Sequence, residues 1–419
     1  MKGIFYGWWI VLASFLIAFY VAGVIFYGFT AFFEPIVEEH GWSYTQVSIG
    51  ISLRGLEMGI LAPVIGFLVD RFGSRKLALF GLVTVGFGLI LISQTQSLVM
   101  LYAAFLLLAL GAGGCTSVVL YTAVANWFKR NVGKALGVVA CGFGASGALV
   151  PLILRLIDTY DWRTALIILA LGMWCLGIPL TFVIRDKPEQ HRYFPDREPL
   201  DEPTPNSEIQ EQQVEVSFRE VLRGRTLWLI SLAEAIRFIV LTAVVIHVMP
   251  YLSSIGMART NAGLVATAIP LLSLTGRFGF GWLGDIVDKR YVMAGTYCLM
   301  GIGMLAFSYA HVEWAVLPFL ILFPPGYGGG IALRGAMLSE HFGTASFGKA
   351  LGIMMGISSI GGIIGPILAG WTFDAMGSYH LIWLVFCGLT TVSIATILMV
   401  RPEAGSRAEL ETTKSYSGN

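Results

Sequence analysis

Twelve apolar runs, each close to the length needed to cross a bilayer, constrain this chain more than any other feature of its sequence. They fall at about residues 8–33, 45–69, 77–95, 98–126, 133–158, 163–184, 226–252, 260–285, 291–310, 313–340, 346–374 and 379–400. A helix rises about 1.5 Å per residue, so roughly 20 apolar residues cover a hydrocarbon core about 30 Å thick. Within that core every backbone N–H and C=O must find a partner inside the protein, and a run of this length does so as an α-helix. The sequence predicts an all-α membrane protein with twelve transmembrane helices.

Composition fits this reading. Of 419 residues only 13% are charged, against roughly 25% in a soluble domain. About half the usual solvated surface is missing, and the lipid bilayer is the partner that replaces it. The formal net charge of +1 gives no field for a polyanion, and no basic block interleaves with aromatics, so nucleic acid is excluded as a partner. The cysteines (Cys115, Cys141, Cys175, Cys298, Cys387) lie inside apolar runs, without CxxC spacing or a metal partner. They read as small packing side chains, and no metal or cofactor is expected. The first apolar run, about 25 residues, exceeds the roughly 7–15 of a signal-peptide core, so it reads as a retained span.

Most connections are short. The exception, 188–224, contains EPLDEPTPNSE and QEQQ and reads as a flexible cytoplasmic linker. It separates a six-helix bundle at 1–187 from a second at 225–401; residues 402–419 read as a disordered tail. Lys and Arg gather at one set of span ends: Arg71, Arg75 and Lys76; Lys129, Arg130 and Lys134; Lys289 and Arg290; Lys349. The opposite ends carry Glu34, Glu38, Glu39 and Glu313. The positive-inside rule then places both termini in the cytoplasm, with the chain multi-pass in the cell (inner) membrane.

One offset recurs. Gly66 and Asp70 match Gly281 and Asp285, GKALG begins at Gly133 and again at Gly348, and Pro151 matches Pro366. Each pair is 215 residues apart, so the two bundles are pseudo-symmetric copies of one fold. Transporters with internal repeats place their substrate between the copies and rock one against the other.

The loop Gly66-x-Leu68-x-Asp70-Arg71-x-Gly73-x-Arg75-Lys76 resembles the signature loop of the major facilitator superfamily, with a degenerate copy at Gly281, Leu283, Asp285, Lys289 and Arg290. The resemblance implies the major facilitator fold. It also implies a cytoplasmic latch formed by Gly66, Asp70, Arg71, Arg75, Gly281 and Asp285. Tyr6-Gly7-Trp8-Trp9, Asn126-Trp127-Phe128-Lys129-Arg130 with GKALGVVACGFGASG, and Gly276-Arg277 in span 8 are similar to the monocarboxylate transporter branch and its bacterial relatives, near the oxalate/formate antiporter group. That branch carries a substrate arginine where Arg277 stands, and its bacterial members use a span 7 histidine. The chain also departs from the branch. No charge lies between Trp9 and Phe33, Ser273 stands where animal members carry an acid, and Ala350 to Phe373 lack the span 11 lysine of the oxalate/formate type. A dicarboxylate would want two cations, which argues against oxalate.

A cation at a helix centre costs roughly 2.5–3.5 kcal/mol on insertion, so each charge inside a span should face a cavity, a partner or a solute. Arg277 lies eight residues before Asp285, about 12 Å from the cytoplasmic end. Its planar fork suits a carboxylate, and an ion pair with Glu234 is the alternative. Glu234 and Arg237, spaced i,i+3, can neutralise each other or serve proton coupling. His247 is a second proton or carboxylate candidate. Arg54 and Glu57 form a similar i,i+3 set for gating, and Arg334 can pair with Glu340 or a helix end. Tyr27, Tyr121, Tyr327 and Ser273 complete the candidate substrate set. The prolines and glycines of FPPGYGGG around Tyr327 are expected to break span 10 and free backbone groups.

The expected function is secondary transport of small monocarboxylates of the lactate or pyruvate kind. Proton symport by alternating access is the favoured mode, with the acid anion and a proton as partners. An organic-anion antiporter, a hydrophobic-drug exporter and a non-transporting receptor on the same fold remain as alternatives. No constellation of an enzyme is present, and oligomeric state is not legible.

Overall fold

Among the residues described by the computed structural model (5–55, 59, 61–128, 131–186 and 224–400), eleven helices are long and apolar enough to cross a membrane. Numbered by span, they are α1 (Tyr6–His40), α3 (Ser74–Ser93), α4 (Leu98–Ala125), α5 (Val132–Tyr160), α6 (Trp162–Val183), α7 (Arg225–Ser254), α8 (Arg259–Ile286), α9 (Lys289–Ser308), α10 (Val316–Phe342), α11 (Ala350–Met376) and α12 (His380–Leu398). The remaining span, α2, is described in two helical pieces, Tyr44–Ser52 and Ala62–Phe72. The fold is the expected all-α arrangement of two six-helix bundles. Glu57, Lys129, Arg130, the body of the linker and the tail lie outside the described residues, as do the chain termini.

The outside of the bundle is what a lipid-facing surface requires. Phe67, Trp282 and Trp314 are 63%, 66% and 73% exposed. Inside, small residues let backbones touch, since helices in lipid associate by packing rather than by escaping water. A Cβ on Gly81 of α3 would lie 2.6 Å from the Gly111 carbonyl oxygen of α4. Gly276 of α8 sits directly on the Pro325 backbone of α10 in the same manner.

FPPGYGGG does not break its helix. Backbone helix is continuous from Val316 to Met376, through Pro324 and Pro325. Its glycines serve close approach instead: a side chain at Gly326 or Gly328 would press into the carbonyl of Thr296 on α9 or Ser273 on α8. The irregular backbone lies elsewhere. In α1 the segment Ala22–Tyr27 is a wide π-turn, with Gly28 N donating to Gly23 O at 2.8 Å, five residues back. In α4 the ladder is interrupted at Thr116, whose backbone is extended (φ −110°, ψ −155°).

The two aromatic motifs, 120 residues apart, meet. Phe5 and Trp8 pack edge-on against Phe128, and Tyr6 packs against Trp127. Trp127 Nε1 donates to Arg185 O (2.8 Å) and Tyr6 Oη to Val183 O (2.9 Å), so both motifs grip the end of α6 where the linker departs. Beside them Gly73 adopts φ +85° in the α2–α3 turn, and Asp186 Oδ1 accepts from Arg75 N at 3.0 Å.

Hydrogen bonds between the two bundles are confined, among the described residues, to mid-span and to the end with the acidic loops, called the outer end below. There Asp374 accepts from Tyr44 N (3.0 Å) and Thr45 N (2.8 Å), and Thr30 Oγ1 donates to Ile246 O (2.8 Å). Ser253 Oγ donates to Glu34 at 3.1 Å, and Arg259 lies 3.8 Å from Asp158. At the opposite, basic end Asp70, Arg71 and Asp285 are exposed. Among the described residues, hydrogen bonds tie the bundles at the outer end and none does so at the basic end.

Candidate functional site

Arg277 projects from α8 at mid-depth, one residue beyond the Gly276 contact that brings α8 against α10. Its Nη1 donates to the Ala140 carbonyl of α5 at 2.9 Å, and its Nε is buried without a hydrogen-bond partner. Its neighbours are the phenols Tyr327, Tyr27 and Tyr121. These come from α10, α1 and α4, so residues of both bundles surround one guanidinium. Tyr27 and Tyr327 hydroxyls meet at 2.6 Å across the bundle interface, and the wide turn of α1 carries Tyr27 there. Toward the outer end Val245, Val248, Ala266 and Ile269 close over Tyr27. Tyr121 is half-buried and packs edge-on to Phe143.

The alternative partner for Arg277 is engaged elsewhere. Glu234 accepts from Arg237 Nε (2.9 Å) and Nη2 (2.6 Å), and from Tyr297 Oη (3.0 Å). Both members of this i,i+3 pair are fully buried. Arg334 Nη1 lies 3.7 Å from the same carboxylate, too far for a hydrogen bond and close enough for attraction. Its expected partner Glu340 instead holds Lys289 at 3.0 Å. Arg237 Nη1, like Arg277 Nε, is buried without a partner. Among the described residues, the guanidiniums of Arg237, Arg277 and Arg334 therefore share the mid-span region with the Glu234 carboxylate, whose oxygens are already occupied by Arg237. Sustained positive potential is the physical character of the site.

The other predicted residues are placed apart. His247 is fully buried nearer the outer end. Its Nε2 faces Pro366 O and Ser48 Oγ, both at 3.0 Å, and its Nδ1 faces Tyr379 Oη at 2.9 Å. A carbonyl can only accept, so Nε2 carries the hydrogen and Nδ1 accepts from Tyr379. The ring is a satisfied neutral group joining α2, α7 and α11, not a neighbour of Arg277. Ser273 is buried, and its hydroxyl donates to Pro270 O within its own helix (2.7 Å). Arg54 Nε donates to Ile51 O at 3.0 Å, with its guanidinium over Phe26 and Phe29. Of the latch residues, Arg75 is held through its backbone by Asp186, and its guanidinium lies 5.0 Å over Phe182. Gly66 and Gly281 leave room beside the backbone on their respective helices.

Sequence reasoning missed Tyr297, Tyr379, Ser48 and Asp374. None carries a local signal, because each becomes functional in appearance only through a contact dozens or hundreds of residues away.

Comparison with known proteins agrees with this architecture. The family model of the Major Facilitator Superfamily matches residues 10–258 and 242–417. Monocarboxylate transporter 12 of Mus musculus is 25% identical over 94% of this chain and 85% of its own length. Monocarboxylate transporter 13 of Bos taurus is 26% identical over 89% and 84%. An uncharacterized MFS-type transporter, YcxA, of Bacillus subtilis (strain 168) is 24% identical over 87% and 88%. Among solved structures, a bacterial homolog of the human lysosomal transporter Spinster, inward-facing and unoccupied, superposes with a TM-score of 0.71 at 16% identity, covering 95% of each chain.

Proposed function

This chain is a multi-pass membrane transporter belonging to the major facilitator superfamily, and from that premise we propose that it carries small monocarboxylates in symport with a proton. One observation supports this above the rest. Arg277 stands at mid-depth between the bundles, with a buried N–H unpartnered, its Nη1 on the Ala140 carbonyl of the other bundle, and the phenols Tyr27, Tyr121 and Tyr327 beside it. A group costing roughly 2.5–3.5 kcal/mol to insert is compensated when an anion arrives. The guanidinium fork grips the carboxylate with two hydrogen bonds, and the hydroxyls of Tyr27, Tyr121 and Tyr327 supply further donors.

The cycle follows from where the bundles touch. With the described hydrogen bonds between the bundles gathered at mid-span and the outer end, the site opens to the cytoplasm on the positive-inside orientation. Substrate entry separates Tyr27 from Tyr327, and the latch residues Asp70 and Arg71 engage as the inner end closes. A monocarboxylate and one proton together cross without net charge, which supports symport in the cell (inner) membrane. The relatives named as monocarboxylate transporters add support for the substrate class.

Uptake of labelled lactate and pyruvate into proteoliposomes tests both parts. An inward proton gradient should accelerate uptake, and indifference to pH would remove symport. Arg277→Lys keeps the charge and loses the fork, so uptake should fall at least about tenfold. Uptake at the wild-type rate in that variant would mean that Arg277 does not hold the carboxylate.

A further inference from the structure

We propose that Asp186 is a positioning residue of the transport cycle: it fixes the inner latch loop to the end of α6, so that Asp70 and Arg71 are held where inner closure needs them. The proposal rests on the reading of those two residues as a latch and adds the group that aims it.

The inner piece of α2 ends at Phe72, α3 begins at Ser74, and the single residue between them is Gly73, at φ +85° and ψ +157°. A helix start needs acceptors for its first N–H groups, and glycine has no side chain to offer one. Asp186, just beyond the end of α6, supplies it: its Oδ1 accepts from Arg75 N at 3.0 Å. The carboxylate lies so close that a Cβ on Gly73 would land on it. Asp186 is itself anchored, since Asn126 Nδ2 donates to its backbone carbonyl at 3.0 Å and Trp127 Nε1 to the carbonyl of Arg185 before it. One side chain thus joins the latch loop to α4 and α6. Asp70 and Arg71 are exposed in this state, and a loop pinned at Arg75 presents them in one direction.

A cap alone did not require a distant residue. Asp161 has nearly the same backbone as Gly73 (φ +83°, ψ +164°) at the start of α6. It caps that helix with its own carboxylate, accepting from Arg163 N (2.7 Å) and Thr164 N (2.9 Å). The second bundle shows two tasks divided between two residues. At the 215-residue offset Gly73 corresponds to Asp288, which accepts from Arg290 N at 2.9 Å and caps α9 locally. The tie is made by Arg290, whose Nη1 donates to Val400 O, beyond the end of α12, at 2.9 Å. In the first bundle Asp186 does both. A carboxylate brought from the end of α6 does what a local cap cannot: it fixes the loop to the rest of its bundle.

Amide hydrogen exchange of the full-length chain in nanodiscs, without substrate, separates aiming from capping. Two places are read: the start of α3, Ser74 to Leu77, and the Tyr44 and Thr45 amides, which Asp374 holds while the outer end is closed. Asp186→Ala should speed exchange at the first by about fivefold, the loss of one helix cap. It should slow exchange at the second by about threefold or more, because a carrier that closes its inner end less readily opens its outer end less often. A merely structural loss would speed both or leave the second unchanged, and would overturn the proposal. Gly73→Asp combined with Asp186→Ala supplies a cap of the Asp161 kind without the tie. There the start of α3 should regain its protection while Tyr44 and Thr45 stay slow; recovery at both places would refute the tie. Because it keeps the helix start capped, this double variant also decides the question if Asp186→Ala does not fold. Asp70→Asn should slow Tyr44 and Thr45 without touching α3, and wild-type exchange there would bring down the latch reading and the proposal with it. No substrate enters, so failed uptake of lactate and pyruvate would remove the carboxylate reading and leave the role of Asp186 standing.

Discussion

Glu234→Gln is the most informative perturbation of stability, because it changes charge at nearly constant volume. In the native protein Arg237 is 0% exposed on its side chain and addresses both carboxylate oxygens, at 2.9 and 2.6 Å. An amide can keep only one of those contacts. The other places an NH2 group against Arg237 Nη2, donor facing donor, and Arg237 has no route to water. Hydrogen bonds to charged groups contribute about 1.5–3 kcal/mol each, and removing one member of a buried pair costs about 3–5 kcal/mol. Arg334, 3.7 Å from the lost charge, is left near Arg237 with no negative charge between them, which pushes the cost toward the upper figure. Unfolding by heat and by SDS in mixed micelles should therefore show a loss of about 3–5 kcal/mol. The double variant Glu234→Gln with Arg237→Gln should recover at least half of it, since it removes the stranded cation. A single variant within about 1 kcal/mol of wild type would refute the argument, because that is the behaviour of a solvated pair.

Two further outcomes follow from contacts at the helix ends. Asp374→Asn weakens the acceptor for Tyr44 N and Thr45 N, so it should move the bundles toward an outer-open state by about 1–3 kcal/mol; thiol labelling of a cysteine placed beside Thr45 should rise accordingly. Asp288 caps α9 and accepts from Arg290, whose side-chain hydrogen bonds hold its carboxyl below the usual aspartate range. A lowered folded-state value means that stability is fully present above the unfolded value of about 4 and is lost as pH falls below it. Melting curves from neutral pH down to about pH 3 should fall more steeply for wild type than for Asp288→Asn.

What the sequence made legible was whatever lipid dictates along the chain. Each span must be apolar over its whole length, so the helices could be counted from residue type alone, and the 215-residue offset showed the duplication. Arg277 stood out for the same reason: a cation at that depth is anomalous. The Glu234–Arg237 pair was readable from its i,i+3 spacing. Contacts between spans were not. Nothing local marks Tyr27 as the partner of Tyr327, 300 residues away, or Asp374 as the acceptor for the start of α2. The FPPGYGGG segment misled because a helix in a bundle can replace a lost N–H bond by packing, and because glycine buys proximity as readily as flexibility. His247 showed a titratable ring to the sequence, and only three-dimensional placement gives it Pro366, Ser48 and Tyr379.

The wide turn at Ala22–Tyr27 has a bearing on everything that follows it in α1. Successive residues of a helix are separated by about 100° around its axis. Deleting one residue from the turn would restore regular geometry locally and swing Thr30 and Glu34 by about that angle. Neither would then face Ile246 or Ser253. The extra residue thus acts as a phase-setter, aligning the far half of one helix with a bundle encoded more than two hundred positions later.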